Sequence, residues 1–331
     1  MTDVRPLGAD EETFLAAVRA GDPARFALVT ERHRRALQVH CYRMLANYED
    51  AQDLTQETFL RAWHKRESFQ AQAALRTWLY RIATNACLDF LDKRNDRTPV
   101  PAALSELPFL QPYPDRMLPE DPQDSVVARE TIELAFIVAV QHLPPRQRAV
   151  LILRDVLGWP ASKAADALEL TVAAVTSALQ RARVTMREQL PGRRLDWRSP
   201  ATRELSNDER EVVKSYMDAH ERNDLDGLMS LLREDLRFAM LPDPGTVLRT
   251  AKDAVDGWVS GGLFQRGLDD WRCVATTVNR MPAAVLYLRT PDNPQYRLLN
   301  LAVLHIADGK IAELTGFDVT DKPWLELPPT L

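Results

Sequence analysis

Apolar residues recur at helical spacing through most of the first half of the chain. Residues 11–94 follow this pattern with only Gly21 and Pro23 as helix breakers, so they are predicted to be helical. The step Gly21-Asp22-Pro23 is typical of one helix ending and the next beginning with a cap and a proline. Residues 95–124 lose the pattern and carry seven prolines, which predicts an extended, semi-rigid linker.

Helical spacing returns at about Ser125 and continues to Leu190, with breaks at 143–145 and 157–160. Prolines and glycine at 191–200 mark a second boundary, after which the pattern becomes mixed. Helices are predicted within 207–232, as a pair, and at 250–261. Strands are predicted at 271–279, 283–290, 296–306 and 311–318, and Asp308-Gly309 indicates a tight hairpin between the last two.

Composition narrows the class of protein only modestly. The chain has 331 residues, a formal net charge of −5 and 45% hydrophobic residues, which suits two or three domains. No run approaches the roughly 18 apolar residues of a membrane span, and no apolar signal segment opens the sequence. Cys41, Cys87 and Cys273 lack metal-ligand spacing and are predicted to be reduced thiols of a cytoplasmic protein. The net charge does not decide DNA binding, because Arg181, Arg183 and Arg187 lie in a stretch free of acids.

The segment 50–63 separates its apolar and polar side chains onto different faces. Leu54, Phe59 and Trp63 gather near one side, while a row of acids and amides follows another at steps of three and four. This row, called the acidic ridge below, consists of Asp50, Asp53, Gln56 and Glu57. It is typical either of a solvated helix face or of a surface that binds a basic or amide-rich protein; phosphates would repel it.

The string Asp-Ala-Gln-Asp-Leu-Thr-Gln-Glu-Thr-Phe-Leu-Arg-Ala-Trp at 50–63 closely resembles the core-binding helix of extracytoplasmic-function (ECF) sigma factors. These are small promoter-recognition subunits of bacterial RNA polymerase in the sigma-70 family. The resemblance implies that the acidic ridge docks on the clamp coiled coil of the largest polymerase subunit. It also implies a contact with the flap of the beta subunit.

The segment from Phe69 to Asn95 contains Trp-Leu-Tyr-Arg-Ile-Ala-Thr-Asn-Ala-Cys-Leu-Asp, which resembles the −10 recognition helix of the same family. Melting a promoter requires a base to be extruded and held, and amide and arginine side chains suit the displaced strand. The predicted contacts are Asn85, Asp89, Lys93 and Arg94. Trp78 is predicted to pack in the core.

Residues 160–187 fit a helix-turn-helix, with a short helix from Ser162 to Leu168, a turn at 169–171 and a longer helix from about Val172. A plain three-helix bundle is the alternative. The strings at 143–154 and 175–183 resemble the −35 domain of ECF sigma factors. That resemblance gives five predicted −35 contacts: Thr176, Ser177, Gln180, Arg181 and Arg183. Thr176 and Ala178 stand where the family commonly has basic residues, which predicts weaker phosphate binding.

The acidic, proline-rich linker admits two interpretations. It is either an inert tether or, as in the family, a nucleic-acid mimic that threads the RNA channel of polymerase. Its acids are Asp115, Glu120, Asp121 and Asp124.

The last 140 or so residues exceed what ECF sigma factors usually contain. Their helices, strands and final Leu-His-Ile-Ala-Asp-Gly-Lys-Ile-Ala-Glu-Leu-Thr-Gly-Phe-Asp resemble the SnoaL-like cone of the nuclear transport factor 2 superfamily. Relatives with this fold bind ligands, dimerise or catalyse reactions. The pocket candidates are Trp258, Tyr287, His305, Phe317 and Asp318. No paired acid and base motif is visible, so a regulatory or ligand-sensing role is favoured over catalysis.

The sequence therefore predicts two all-α domains followed by an α+β SnoaL-like domain. The predicted bounds are 10–95 for sigma region 2, 96–127 for the linker, 128–190 for sigma region 4, 191–204 for a second linker and 205–327 for the last domain. The predicted function is that of an ECF sigma factor regulated by its C-terminal domain. The alternatives are a one-component transcription regulator and a SnoaL-like enzyme fused to a DNA-binding region. No catalytic residue, metal or cofactor is predicted, and a small ligand or anti-sigma factor is left open as a further partner.

Overall fold

The structure, a computed structural model, describes residues 9–69, 74–94, 107, 109–119, 131–190, 206–242, 247–264, 270–291 and 293–331. Two compact units divide the chain, the first formed by Met1–Val100 and Met117–Ala201, the second by Pro101–Arg116 and Thr202–Leu331. Part of the linker predicted between the helical domains thus belongs with the C-terminal residues. The linker predicted at 191–204 and the acids Glu120, Asp121 and Asp124 lie outside the described residues.

Among its described residues the first unit is helical. The described part of its N-terminal half contains α1 (Ala9–Ala20), α2 (Pro23–Glu31), α3 (Arg34–Leu45), α4 (Tyr48–His64) and α5 (Leu75–Lys93). The predicted break before α2 is confirmed: Asp22 caps the helix by accepting from the backbone N–H of Ala24 at 3.0 Å, and Pro23 takes the first position. Asn47 caps α4 through the N–H of Asp50 at 2.9 Å.

Aromatic rings hold the N-terminal half together. The ring of Phe14 lies 5.2 Å from Phe26, 5.0 Å from Phe69 and 5.6 Å from Trp78, and Phe26 continues the cluster to Trp63 at 5.0 Å. Such edge-to-face and tilted pairs are the favoured arrangements of aromatic rings. Trp78 therefore packs on this cluster as predicted, although part of its side chain stays exposed.

The other half of the first unit contains the predicted helix-turn-helix. Its elements are α6 (Leu134–Gln141), α7 (Pro145–Leu151, extended by one wider turn at Ile152–Val156), α8 (Ala161–Leu168) and α9 (Val172–Gln189). Glu169 ends α8 in the left-handed conformation at φ 55°, and Thr171 caps α9 through the N–H of Ala174 at 3.1 Å. The turn lies where the sequence predicts it.

A buried histidine makes the stability of the first unit depend on pH. His40 is fully buried, its Nε2 lies 2.9 Å from Thr84 Oγ1, and burial together with the charge of Arg43 lowers its pKa to about 3. The unfolded chain, with a histidine pKa of about 6.5, binds this proton at a higher pH than the folded chain does. The contribution of His40 to the free energy of unfolding is therefore fully present above about pH 6.5, and it is lost as the pH falls from there towards 3.

At pH 5 we expect this histidine to reduce the free energy of unfolding by roughly 2 kcal/mol relative to pH 7.5. The check is urea unfolding at both pH values for wild type, His40→Gln and His64→Gln, where His64 is the exposed control. His40→Gln should lose less stability on acidification than the other two. An equal loss in all three proteins would contradict the assignment of acid sensitivity to His40.

In its described residues the second unit combines three α-helices with one six-stranded sheet. The helices are α10 (Asn207–Glu221), α11 (Leu225–Leu231) and α12 (Ala251–Ser260). The strands are β1 (Leu232–Leu241), β2 (Val247–Leu248), β3 (Asp270–Val278), β4 (Met281–Thr290), β5 (Asn293–Ala307) and β6 (Lys310–Phe317). They lie in the order β2-β1-β6-β5-β4-β3, and all neighbours are antiparallel except β1 and β6.

One face of this sheet encloses the main core of the unit. Trp271 of β3, Leu286 of β4 and Leu304 of β5 point into a cluster that also contains Tyr216 and Phe264. His220 of α10 lies within this cluster, 5.5 Å from the ring of Trp271 and 5.2 Å from that of Phe264. The described interior is thus filled by aromatic and aliphatic side chains. The three predicted helices and four predicted strands are confirmed, and β1 and β2 were not predicted.

Candidate polymerase and promoter surfaces

The four members of the acidic ridge lie on α4 in two different settings. Asp53 and Gln56 are exposed. Asp50 accepts a hydrogen bond from Arg94 at 3.3 Å, and Glu57 accepts one from Arg61 Nε at 2.9 Å. Asp53 and Gln56 are consequently the most exposed members of the acidic ridge.

Ion pairs join the acidic ridge to the predicted −10 helix. Arg61 donates to Glu57 and, at 2.6 Å, to Asp89 on α5; the hydrogen bond to Glu57 is the main cause that raises the pKa of Arg61. Arg94 extends back to Asp50 and also lies 5.9 Å from the ring of Phe90. Two of the four predicted −10 residues, Asp89 and Arg94, are therefore engaged within the domain.

A cleft of about 480 Å³ opens beside the part of α5 that contains Asn85. We call it the basic cleft; its lining residues are Arg61, Lys65, Ser68, Trp78, Arg81, Ile82, Asn85 and Glu169. Asn85, a predicted −10 contact, is half-buried there. Lys93, the fourth predicted contact, is exposed at the end of α5 and does not line the cleft.

Three cations of the basic cleft were not among the predicted site residues. Arg81 stands four residues before Asn85 on α5, and Arg61 of α4 stands four before Lys65, which caps the C-terminal end of that helix, so the members of each pair lie close together. This spacing is visible in the sequence and was the signal that could have identified them. Cations, an aromatic edge and an amide together suit a nucleotide, because they offer phosphate contact, stacking and a base-edge hydrogen bond.

Four of the five predicted −35 residues form a row on the exposed face of α9, called the outward row below. Val175, Ala178, Leu179, Ala182 and Met186 are buried against the neighbouring helices. Thr176, Ser177, Gln180 and Arg181 are exposed on the opposite side. Arg183 differs from them: its guanidinium donates two hydrogen bonds to Asp155, both 2.8 Å long, and this pairing raises its pKa. Arg183 thus ties α9 to the wider turn that ends α7, where Asp155 lies.

The structure does not gather the five pocket candidates of the C-terminal unit around one cavity. Trp258 packs against the core cluster, 5.6 Å from the ring of Phe238. Tyr287 follows Leu286 and His305 follows Leu304, both of which point into that cluster, so Tyr287 and His305 face the other side of the sheet. The Tyr287 hydroxyl donates to the carbonyl of Pro328 at 3.0 Å.

The remaining two candidates lie at the end of β6. Phe317 is the last residue of that strand and is buried. Asp318 accepts hydrogen bonds from the backbone and hydroxyl of Thr320, so it caps a turn. One candidate lies on the core side, two lie on the opposite face of the sheet and two lie at the strand end. The five therefore do not line one pocket, because successive strand residues point to opposite sides.

Comparison with known proteins decides the family. Residues 29–97 match the model of Sigma-70 region 2, and residues 133–186 match that of Sigma-70, region 4. The ECF RNA polymerase sigma factor SigG of Mycobacterium tuberculosis is 36% identical, across all of this chain and 90% of that protein. The chain belongs to the ECF RNA polymerase sigma factors. The prediction from the motifs at 50–63, 69–95 and 143–183 is confirmed at the level of the family.

Two further similar proteins differ in how much of the chain they cover. SigW of Bacillus subtilis is 31% identical over 52% of this sigma factor and 92% of its own length, so it corresponds to about half of the chain. The crystal structure of the M. tuberculosis sigma factor SigJ covers 90% of the chain with a TM-score of 0.58 at 23% identity. That similarity supports the fold of helical sigma regions joined to an α+β unit.

Core polymerase and promoter DNA are accordingly the partners of this sigma factor. Within the described residues, no group of three or more histidine, cysteine, aspartate or glutamate side chains is placed to hold a metal ion. In the same part of the chain no helix has the length and apolar character needed to cross a membrane.

Proposed function

We propose that this sigma factor presents three separate surfaces to the transcription complex. Asp53 and Gln56 bind core polymerase, the basic cleft holds the displaced −10 strand, and the outward row of α9 reads the −35 element. The observation that carries the proposal is the separation of exposed polar side chains from buried apolar ones on α4 and α9. Run-off transcription with purified core polymerase on genomic fragments tests it and identifies the promoters.

Arg181 offers the most direct test of the −35 surface. If its guanidinium contacts a base edge, Arg181→Ala should weaken promoter binding by about 1–3 kcal/mol and relax the preference at one position. Arg187→Ala removes the same charge six residues further along α9 and serves as the matched control. The measurement is competition binding of the polymerase holoenzyme to a set of single-base promoter variants. Wild-type strength and preference in Arg181→Ala would show that this residue faces solvent in the complex.

The C-terminal unit, in this proposal, regulates transcription by binding part of the linker. Tyr113 is fully buried; its N–H donates to Asn279 Oδ1 at 2.7 Å, and its carbonyl accepts from the N–H of Asn279 at 2.9 Å. Next to it, the N–H of Arg280 donates to Asp115 at 2.8 Å. Tyr113 and Asp115 are thus tied through three hydrogen bonds to the turn between β3 and β4.

A second set of bonds anchors the end of this segment. Arg116 donates to the carbonyls of Trp324 and Leu325, and its Nε lies 3.1 Å from a carboxylate oxygen of Glu326. We call residues 113–116 and their contacts with 279–280 and 324–326 the linker clasp. Residues 113–116 precede the second helical sigma region, so holding them restrains the linker that both DNA-binding regions share.

The turn in the linker clasp has a conformation that its residues do not favour. Asn279 and Arg280 both have positive φ, at 51° and 60°, as in the two-residue hairpin turns where Asn-Gly is the usual pair. Arginine at the second position is strained, and such strain persists where the surrounding contacts maintain it. The N–H groups of this turn bind the linker, which gives the unusual geometry a function.

A further inference from the structure

The first turns of α9 expose methyl groups where a DNA-binding helix often exposes charges. Val172 is 49% exposed, and Ala173 beside it is exposed as well. The stretch from Val172 to Gln180 contains no charged residue, and the first cation of the helix is Arg181. A single exposed valine is ordinary on a protein surface, but this one begins a helix that is predicted to contact DNA. The exposed side of α9 is thus neutral along its first half and apolar at its start.

Thr176 adds another methyl group to this apolar surface. It stands four residues after Val172, so the two side chains lie on the same face of the helix. Its hydroxyl donates to the carbonyl of Val172 at 2.9 Å. A threonine hydroxyl that is bonded back to the preceding turn has used its proton, so the γ-methyl is the group offered to a partner. We call Val172, Ala173 and Thr176 the methyl patch.

The methyl patch lies at the end of α9 that a helix-turn-helix directs towards the bases. In such motifs the N-terminal residues of the second helix contact base edges in the major groove. Thr171 caps this end of α9, and Val175 is buried on the side opposite to the patch. The patch continues directly into the outward row, because Thr176 belongs to both. Its occupant in the transcription complex is therefore the major groove of the −35 element.

Thymine is the base that offers a methyl group in the major groove. Guanine, adenine and cytosine present hydrogen-bond donors and acceptors there, whereas the C5-methyl of thymine accepts apolar contacts from alanine, valine or threonine methyl groups. Polar base edges held against the methyl patch would lose water without gaining a hydrogen bond, which is unfavourable. Burying a thymine methyl against the patch is favourable. The patch is thus complementary to thymine.

We infer that the methyl patch selects A·T pairs in the −35 element by contact with thymine methyl groups. Val172 and Thr176 make this selection at the start of α9, and Arg181 supplies a charged contact further along the helix. The discrimination comes from apolar contact and not from a base-specific hydrogen bond. The inference deepens the proposed function and rests on it, because it takes α9 as the helix that reads −35.

Replacement of single thymines by deoxyuridine tests this inference with the complete holoenzyme. The change removes only the C5-methyl group of the base and retains the hydrogen bonds of the pair. Binding is measured by competition between promoters that differ at one thymine of the −35 element. We expect uracil at one or two of these positions to weaken binding by the wild-type holoenzyme about threefold to fivefold, as for one lost methyl contact.

Val172→Ala and Thr176→Ser identify the side chains that contact the thymine. Thr176→Ser deletes one methyl group and keeps the hydroxyl that donates to the carbonyl of Val172. At least one of the two variants should bind the thymine and uracil promoters equally, because the contact is already lost on the protein side. Val184→Ala is the matched control: Val184 is 52% exposed further along α9 and lies outside the methyl patch. This control should retain the full difference between thymine and uracil.

Equal binding of thymine and uracil promoters by the wild-type holoenzyme at every −35 position overturns the inference. A uracil effect that persists unchanged in both Val172→Ala and Thr176→Ser overturns it too, as does a −35 element made only of G·C pairs. Arg181→Ala separates these failures from a failure of the proposed function. If Arg181→Ala relaxes the preference at a −35 position while uracil has no effect, α9 reads −35 without the methyl patch. If neither Arg181→Ala nor a scrambled −35 element changes binding, the −35 surface and the thymine contact are both refuted.

Discussion

Replacing Asp53 and Gln56 by lysine is expected to abolish co-purification of this sigma factor with core polymerase. Both side chains are exposed on α4, at the centre of the acidic ridge. Two lysines there would place positive charge against a basic or amide-rich partner surface. Disrupting a charge pair that is desolvated in an interface costs about 2–5 kcal/mol, which corresponds to roughly 30-fold to several-thousand-fold weaker binding.

The choice of Asp53 and Gln56 follows from the ion pairs of the domain. Asp50 binds Arg94 and Glu57 binds Arg61, so reversing either charge would also disturb the packing of α4 on α5. A matched control carries Glu67→Lys and Gln189→Lys, which change the net charge by the same amount at exposed positions outside α4. Affinity is measured by titrating fluorescent sigma factor with core polymerase. Wild-type affinity in the double variant would show that the acidic ridge is a solvated helix face.

The ion pairs also mark what could not be predicted from the sequence. Asp50 and Arg94 are 44 residues apart, and Arg61 and Asp89 are 28 apart. Helical spacing predicts which residues share a face of one helix, but not which face of α4 meets which face of α5. The motifs therefore located the two surfaces correctly as helices, while the contacts between them emerged only from the packing.

The strands show which elements the apolar pattern predicts and which depend on pairing with a distant strand. β3 to β6 carry alternating or continuous apolar runs, and the sequence predicts all four. β1 contains Arg233, Glu234, Asp235 and Arg237 within ten residues, so its apolar positions do not alternate clearly. Its pairing with β6 from Arg237↔Glu313 to Leu241↔Phe317 makes it a strand. Tertiary context often overrides local β-propensity in this way.

The linker shows a larger gap between pattern and structure. Seven prolines predict an extended segment, and residues 113–114 do run alongside the end of β3, where Pro114 pairs with Val278. Nothing in the local sequence indicates that its partner stands more than 160 residues away. Of the two interpretations of the linker, the inert tether does not describe residues 113–116, which are bound within the second unit.

Releasing the linker clasp is expected to increase transcription by this sigma factor severalfold. Tyr113→Ala removes a fully buried aromatic side chain, which should cost about 3–5 kcal/mol of binding between the linker and the C-terminal unit. A restraint of a few kcal/mol keeps a free linker at a few per cent or less, so its loss makes the free form dominant. Run-off transcription with core polymerase measures the yield, and limited proteolysis measures exposure of the linker.

A second pair of variants tests the hydrogen bond between Tyr113 and Asn279 without removing the buried ring of Tyr113. Asn279→Gly retains the positive φ of the turn but leaves the buried N–H of Tyr113 without its acceptor, at a cost of about 1–3 kcal/mol. Asp308→Gly makes a comparable change at the first residue of the β5–β6 turn, where φ is 54°. Transcription and proteolysis should change with Asn279→Gly and not with Asp308→Gly. The regulatory proposal is contradicted if the linker becomes sensitive to protease in Tyr113→Ala and Asn279→Gly while transcription stays at the wild-type level. In that case the linker clasp stabilises the fold without regulating transcription, and the C-terminal unit acts through another surface.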